Sequence, residues 1–360
     1  MIKNYIIKYK SDVADLNIDN DISSKYKLAF TKRFSHCLNG ALVKMNENQL
    51  ERLKNDDNVE FVEEDLNVSI AQKPKINATE VTFVLSSFTK PLWYQTLTNT
   101  QTTSVTHASI NCYVVDTGIS STHSEFRTSQ VFLDYCAIKG IRTATDDNGH
   151  GTKVASVIGG RNIGVANNIT LHAIKVLDST GNGSVSNVIS GLDWIIKNKK
   201  SNSIINMSLE ASYSAILNSA VAKCISSGIF VICAAGNGNT VISTVSPASV
   251  PAIYPIGAFD STLTKASFSN FNNILNQDLL TFMPGVAITC AFMDSSNLLY
   301  ALSDGTSFSS PIVSGIIAKI LLAFPTITKT QLDTKLNSME IINKLSNIPS
   351  GSINQYIVYK

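Results

Sequence analysis

Apolar runs that stop at a polar residue or a glycine set the pattern of this chain. Residues 110–115 are mostly apolar and β-branched, and the run stops at Asp116 before a turn at Gly118. Residues 203–207 and 229–235 show similar runs. Runs of this length are typical of strands that are buried on both faces of a parallel sheet. The pattern therefore predicts an α/β fold with polar residues at the carboxyl ends of strands, where such folds place their sites.

Helical patterns alternate with these strands. Residues 152–158 predict a helix directly after His150, and residues 311–322 predict an apolar helix directly after Ser307. A further helix is predicted over residues 185–199, after a strand and a glycine-rich turn. Strands that alternate with helices are typical of parallel sheets.

The N-terminal segment has a pattern of its own. Residues 1–10 form an amphipathic strand pattern, and residues 39–65 predict a strand, a helix and a strand. Residues 1–70 hold ten basic and twelve acidic side chains, whereas the remainder is weakly basic, so the charges mildly favour docking of one part on the other. The pattern predicts a small α+β domain over residues 1–68.

Three polar residues at the predicted element ends form a candidate catalytic set. Asp116 ends a strand, His150 lies between two glycines that leave room for its ring, and Ser307 opens a helix. Singly, each fits an ordinary turn, loop or helix cap. They follow one another as Asp, His and Ser, which is one of the orders found in serine-protease triads. At a helix N-terminus the Ser307 N–H points outward and can hold an oxyanion.

With these segments the chain resembles the subtilases, closest to their proteinase K-like branch. The segments that carry the resemblance are VVDTG at 114–118, NGHGT at 148–152, AAGN at 234–237 and GTSFSSP at 305–311. The resemblance implies a subtilisin-like parallel sheet with helices on both faces, in a catalytic domain over 107–360. It implies a serine endopeptidase with Asp116, His150 and Ser307 as its triad, and it makes Asn237 the second oxyanion donor.

The N-terminal pattern resembles the inhibitory propeptide of subtilases. This implies a ferredoxin-like α+β domain over 1–68 that assists folding and blocks the active site until it is cleaved off. Residues 69–106 would then be a linker and the start of the mature chain, in which Trp93 matches a tryptophan of the family. Cleavage is expected within 67–90. The expected partners are polypeptide substrates and the chain's own propeptide as an intramolecular inhibitor.

The resemblance also implies which residues line the substrate groove. They are Gly181, Asn182, Gly183, Ser208, Leu209, Glu210, Ala234, Ala235 and Gly236. The first three would pair with an extended peptide as an edge strand. The last three would form the base of the pocket for the residue before the scissile bond (P1), and small residues there imply bulky hydrophobic P1 side chains. Glu210 stands where the family usually has glycine; it narrows the groove, favours a basic substrate residue, or lies in solvent without effect.

Composition narrows the function classes further. The chain of 360 residues, with 44% hydrophobic and 16% charged residues, predicts a large domain with a deep core beside a smaller one. A net charge of +2 favours neither nucleic acid nor a membrane surface as a partner. The apolar run 312–324 is too short to span a bilayer. The protein is expected to be a monomer.

Neither a cofactor nor a metal is predicted. The branch often binds calcium through an aspartate just before a Pro-Gly pair, but here Asp278 is displaced from that place relative to Pro284 and Gly285. The six cysteines fit no zinc motif and do not match the family's disulfide positions. Since residues 1–10 also lack the features of a secretory leader, an intracellular location is favoured, with an extracellular one as the alternative.

An alternative function requires the same fold but no catalytic activity. In it the chain is a catalytically silent protease homologue that binds peptides without cleaving them. Labelling of Ser307 by a fluorophosphonate separates the two functions.

Overall fold

The structure is a computed structural model that describes residues 1–10, 17–71, 82–84, 91–100, 109–273 and 281–360. The N-terminal elements are β1 (Lys3–Tyr9), α1 (Ile18–Tyr26), β2 (Ala29–Phe34), β3 (Gly40–Met45), α2 (Glu47–Leu53) and β4 (Val59–Glu64). The elements of the first half of the remaining chain are β5 (Asn67–Ile70), β6 (Thr82–Val84), α3 (Trp93–Leu97), β7 (Asn111–Asp116), β8 (Val131–Cys136), α4 (His150–Gly159), β9 (Thr170–Lys175), β10 (Asn182–Ser184), α5 (Val185–Asn198) and β11 (Ser203–Met207). Those of the second half are β12 (Leu209–Ser212), α6 (Ala215–Ser226), β13 (Phe230–Ala234), β14 (Val245–Ser246), β15 (Tyr254–Phe259), β16 (Thr281–Pro284), β17 (Ile288–Ala291), β18 (Leu299–Ser303), α7 (Thr306–Ala323), α8 (Lys329–Asn337), β19 (Glu340–Ile342) and β20 (Gln355–Ile357).

A parallel sheet of seven strands carries the larger part, in the order β16-β15-β13-β11-β7-β9-β8. Its middle strands β7, β11 and β13 are buried along their whole length, which explains their continuous apolar runs. Helices α4 and α7 pack against each other on one face, and α5 and α6 do so on the other. Helix α7 is apolar because it packs within this core, and most of its residues are buried. The predicted α/β architecture is confirmed.

The N-terminal part is a separate four-stranded antiparallel sheet, in the order β2-β3-β1-β4. With α1 and α2 it forms the ferredoxin-like α+β unit that was expected. Tyr5, Ile7 and Tyr9 of β1 lie in a core that belongs to this unit alone. Ile6, between them, belongs instead to the large core of the rest of the chain, because successive residues of a strand point to opposite faces.

Carboxylates of the N-terminal unit reach the first turns of two helices in the larger part. The Asp65 carboxylate accepts hydrogen bonds from the Ser186 N–H (2.8 Å) and the Ser186 hydroxyl (2.7 Å) at the start of α5. Glu63 accepts one from the Ile216 N–H (3.2 Å) at the start of α6. Since helix N-termini present unpaired N–H groups and a positive dipole end, these contacts dock the unit on α5 and α6.

In a third polar contact across the same interface, the larger part supplies the carboxylate and the N-terminal unit supplies the N–H groups. Asp193, on α5, accepts the backbone N–H groups of Ser35, His36 and Cys37 at 3.1, 2.7 and 2.9 Å. The His36 ring lies 3.1 Å from the other carboxylate oxygen. The loop between β2 and β3 therefore wraps one carboxylate of the larger part.

Candidate active site

The carboxyl end of β7 brings an aspartate to a histidine at the start of α4. His150 Nδ1 lies 2.8 Å from Asp116 Oδ1 and 3.0 Å from Oδ2. Asp116 is fully buried and also accepts the Thr117 N–H, at 2.7 Å. The carboxylate therefore fixes the orientation of the imidazole and favours the proton on Nδ1.

A second aspartate, which the sequence reasoning missed, fixes the start of α4. Asp146 Oδ1 accepts the Gly149 N–H (2.9 Å) and the Thr117 hydroxyl (2.8 Å). Its Oδ2 accepts the N–H (2.9 Å) and the hydroxyl (2.6 Å) of Thr152. Asp146 thus ties the first turn of the helix that carries His150 to the strand end that carries Asp116. An acidic residue just ahead of a predicted helix start is a capping signal in the sequence.

A glycine lets α4 approach β7 this closely. A Cβ on Gly151 would lie 2.1 Å from the Gly118 carbonyl and 3.2 Å from Asp116 Cβ, so a side chain there would push the helix away. The glycine that follows the histidine in the sequence is therefore explained by the approach of the helix to the aspartate.

Ser307 lies in the first turn of α7, after Gly305. Its hydroxyl lies 3.3 Å from the Ser208 carbonyl, and the Ser208 hydroxyl in turn donates to the Ser307 carbonyl at 2.9 Å. The ring of Phe308, the next residue, lies 5.6 Å from the His150 ring. The Phe308 contact brings the first turn of α7 close to the His150 ring, while the Ser307 hydroxyl points to Ser208.

The amide of Asn237 is held in one orientation. Its Oδ1 accepts the Thr306 N–H (3.0 Å) and the Thr306 hydroxyl (2.9 Å), which leaves Nδ2 to donate elsewhere. Nδ2 donates to the carbonyl of Ala71, at 2.7 Å. A carbonyl from the segment that follows the N-terminal unit therefore accepts the hydrogen bond that the sequence analysis expected Asn237 to donate to an oxyanion.

Asn270, whose role the sequence reasoning also missed, supports this turn. Its fully buried amide donates to the Ala235 carbonyl (2.8 Å) and accepts the N–H groups of Gly238 (3.0 Å) and Thr240 (2.9 Å). These three bonds hold the loop on which Asn237 lies. No sequence motif marks the pairing, because the two segments meet only in the fold.

Strand β5, which ends beside Ala71, lies in the predicted substrate groove. It is the middle strand of an antiparallel arrangement between β10 and β12. Ser69 pairs with Asn182, and the Ile70 N–H donates to the Gly181 carbonyl at 3.0 Å. Val68, which pairs with Gly183, is buried.

The other groove residues lie on the opposite side of this strand. Leu209 pairs with Ile70 and Glu210 with Ser69. The structure thus brings the groove residues around one extended segment of the chain itself. Within the predicted cleavage region 67–90, residues 72–81 and 85–90 lie outside the described residues.

Ala234 is the last residue of β13, Ala235 and Gly236 follow it, and all three are buried. Glu210 does not extend into solvent. Its Oε2 lies 3.3 Å from the Asn237 N–H, and burial raises the pKa of its carboxyl. The Glu210 carboxylate therefore contacts the opposite wall and does not lie free in solvent, and its effect on the substrate stays a prediction.

The expectation that the protein needs no metal stays a prediction. The described residues contain no group of three or more His, Cys, Asp or Glu side chains that could hold an ion. Asp278, which the sequence analysis considered for calcium, lies outside the described residues.

Comparison with known proteins corrects the expected location. The chain is 40% identical to an extracellular serine proteinase of Thermus sp. (strain Rt41A), over 85% of this chain and 72% of that protein. It is 30% identical to a cuticle-degrading protease of Metarhizium anisopliae, over 99% of this chain and 89% of that protein. The preference for an intracellular location was wrong. Five of the six cysteines are buried, and a free thiol packs there as a small hydrophobe, so the lack of disulfides says little about the compartment.

The fold and the family agree with these relatives. A cold-adapted subtilisin-like serine proteinase of known crystal structure superposes with a TM-score of 0.67 at 33% identity, covering 76% of this chain and 99% of that one. The sequence profile of the Subtilase family matches residues 110–346, which include Asp116, His150, Asn237 and Ser307. The chain therefore belongs to the subtilase family and is a serine-type endopeptidase.

Proposed function

We propose that the protein is made as a zymogen and cleaves its own bond between Ala71 and Gln72 with the triad Asp116, His150 and Ser307. One observation carries the proposal: the Ala71 carbonyl accepts the hydrogen bond of Asn237 Nδ2 while β5 is paired on both sides in the groove. This is the position that the scissile carbonyl of a bound substrate has to take.

The proposed reaction begins at the Ala71 carbonyl carbon. Ser307 Oγ attacks it while His150 Nε2 takes the hydroxyl proton, and Asn237 Nδ2 holds the oxygen as it becomes negative. The Ser307 N–H is the expected second donor. His150 then gives the proton to the nitrogen of Gln72, the carbon–nitrogen bond breaks, and an acyl-enzyme remains on Ser307.

Water completes the cycle. His150 takes a proton from a water molecule, which attacks the acyl carbon; the ester bond breaks, and Ser307 recovers its proton from His150. Asp116 stabilises the imidazolium in both halves of the reaction and holds the ring in its tautomer. Polypeptides that enter the groove as an extended strand are hydrolysed in the same way.

The N-terminal unit is proposed to stay bound after the cut and to inhibit the enzyme. The segment that ends at Ala71 would keep its pairing with β10 and β12, and Asp65, Glu63 and Asp193 would keep their contacts across the interface. Activity then appears when this product leaves or is digested.

An extracellular site of action is also proposed. It rests on the relative named as an extracellular proteinase and on the burial of most of the thiols, which limits their oxidation. Immunoblots of culture medium and washed cells test it: enzyme confined to the cells would contradict the proposal.

Fluorophosphonate labelling of wild type and Ser307→Ala, followed by intact mass, tests the catalytic proposal. We expect one label on wild type from which residues 1–71 have been removed, and none on the variant treated in the same way. Wild type freed of these residues that takes no label would contradict the triad and would favour the catalytically silent peptide binder. A label that persists in Ser307→Ala would place the nucleophile elsewhere.

A further inference from the structure

The P1 pocket of this chain is crossed by a side chain from its own wall. Glu210 belongs to β12, on one side of the groove, and Gly236 and Asn237 belong to the other side. Glu210 Oε2 lies 3.3 Å from the Asn237 N–H, so the carboxylate bridges the two walls. In a slot lined by Ala234, Ala235 and Gly236 alone, that space would be open to a substrate side chain.

The space beside Gly236 is correspondingly small. A Cβ built on Gly236 would lie 2.4 Å from Glu210 Oε2 and 2.3 Å from Asn270 Nδ2. Both side chains are held by hydrogen bonds, Glu210 to Asn237 and Asn270 to the Ala235 carbonyl. A substrate side chain that reaches this space beside Gly236 has to displace Glu210 or Asn270.

The residue that occupies the P1 position in the structure is small. Ala71 holds this position, because its carbonyl accepts from Asn237 Nδ2, and it is only 7% exposed. A methyl side chain needs only a short pocket, whereas the pocket expected from the sequence would suit a bulky hydrophobic side chain. The small size of the residue at the proposed cleavage site therefore matches the small size of the pocket.

We propose that Glu210 is a specificity-determining residue that shortens the P1 pocket, so that the enzyme selects small uncharged P1 residues such as alanine. The inference rests on the proposed function and names the substrate class of that site. It replaces the expectation of bulky hydrophobic P1 residues. A lysine or arginine at P1 is also disfavoured, because it could pair with Glu210 only after the carboxylate had left the Asn237 N–H and vacated the pocket.

Self-cleavage of the full-length chain provides the test. Ala71→Phe should slow the cut by about tenfold or more, since a hydrophobic pocket that lacks room for a few methylenes discriminates by at least that factor. Glu210→Gly in the same chain should restore the rate. Glu210→Gln is the matched control: it keeps the size and removes the charge, so it should not rescue Ala71→Phe. Intact mass over time gives the fraction cleaved.

Peptides that differ only at P1 (Ala, Phe or Lys) test the same claim on the self-cleaved enzyme. We expect wild type and Glu210→Gln to prefer Ala, and Glu210→Gly to prefer Phe. Wild type that prefers Phe would overturn the inference, as would an Ala71→Phe chain that is cut at the wild-type rate. A preference for Lys that Glu210→Gln abolishes would also overturn it, because charge and not size would then select the substrate.

Labelling at Ser307 separates these outcomes from a failure of the proposed function. A labelled enzyme with the wrong P1 ranking contradicts only the role of Glu210. A protein freed of residues 1–71 that takes no label contradicts the catalytic proposal, and the pocket is then tested by competition binding. Peptides that end in Ala should still bind more tightly than those that end in Phe, and the reverse order would overturn the inference.

Discussion

The two folded parts of this chain differ in how they use their buried faces. The parallel sheet of the larger part has helices on both sides and encloses its own core. The small antiparallel sheet keeps one apolar face for its own helices and places the other against its neighbour: Ile7 lies in the first core and Ile6 in the shared one. The small unit is therefore built to dock, and the larger part is built to hold a site.

The polar contacts show the same difference. The larger part positions its site with its own residues, such as Asp146 beside His150 and Asn270 beside Asn237. The carboxylate of Asp65 in the small unit serves a helix of its neighbour. Substitutions at the site in the larger part should therefore change the rate of catalysis. Substitutions in the small unit should change how long this unit stays bound.

The largest effect is expected at Asp116. Asp116→Asn should slow self-cleavage by about 10⁴-fold, because the amide holds the imidazole of His150 in the wrong tautomer. Intact mass over time measures the rate. The chain offers a matched control in a second aspartate–histidine pair of the same sheet, Asp134 and His172.

Asp134→Asn should leave the self-cleavage rate within about twofold, since it lies outside the proposed site. Equal slowing by both substitutions would show that the Asp116 effect comes from damage to the sheet. An Asp116→Asn chain that is cut at the wild-type rate would contradict the triad.

Loss of the Asn237 amide should have the next largest effect. Asn237→Ala should lower kcat of the self-cleaved enzyme by about 10²- to 10³-fold with little change in KM, because the bond strengthens as the oxyanion forms. Asn239→Ala removes a neighbouring amide that accepts from Lys265, and it should leave kcat within about twofold. A raised KM with unchanged kcat for Asn237→Ala would make this residue a substrate-binding group only.

Adjacent residues of β1 test the two faces of the small unit. Ile7→Ala and Ile6→Ala should each lower the free energy of unfolding by about 2–5 kcal/mol, because each truncates a fully buried side chain. Ile7→Ala should raise hydrogen exchange throughout β1–β4, measured in a Ser307→Ala background that cannot cut itself. Ile6→Ala should leave that exchange protected and should instead speed the release of the cleaved unit. The same response from both variants would contradict the division into two cores.

A smaller effect is expected at the helix caps. Asp65→Ala should cost about 1 kcal/mol of docking and so shorten the lag between self-cleavage and activity by about fivefold, because Ser186 at the start of α5 loses its acceptor. Asp65→Asn should keep most of the lag, since an amide oxygen caps equally well and burial already raises the pKa of the Asp65 carboxyl. If Asn shortens the lag as much as Ala, the contact depends on charge and not on the cap.

The sequence predicted those parts of the molecule that depend on local pattern. Apolar runs marked the buried strands, and Asp116 followed one of them, so its place at a strand end could be inferred. His150 and Ser307 each opened a helix as expected. Because the carboxyl ends of parallel strands share one edge of a sheet, these residues could be expected to converge.

The parts that were missed depend on contacts between distant segments. Strand β5 is only four residues long and crosses the predicted boundary between the small domain (1–68) and the linker (69–106). It becomes a strand because β10 and β12 supply its partners. The sequence left open where the Glu210 side chain points, because its contact with Asn237 exists only when the two walls of the groove face each other. The wrong expectation about location rested in part on the cysteines. Most of them are buried as free thiols, and such packing does not depend on the compartment.

Intact mass and N-terminal sequencing of the purified full-length protein test whether the chain cuts itself after Ala71. Wild type should become two pieces, residues 1–71 and a chain that starts at Gln72, and Ser307→Ala should remain one chain of 360 residues. A fully active wild type that stays uncut, or a Ser307→Ala chain that is cut at the same bond in the absence of other proteases, would contradict this expectation.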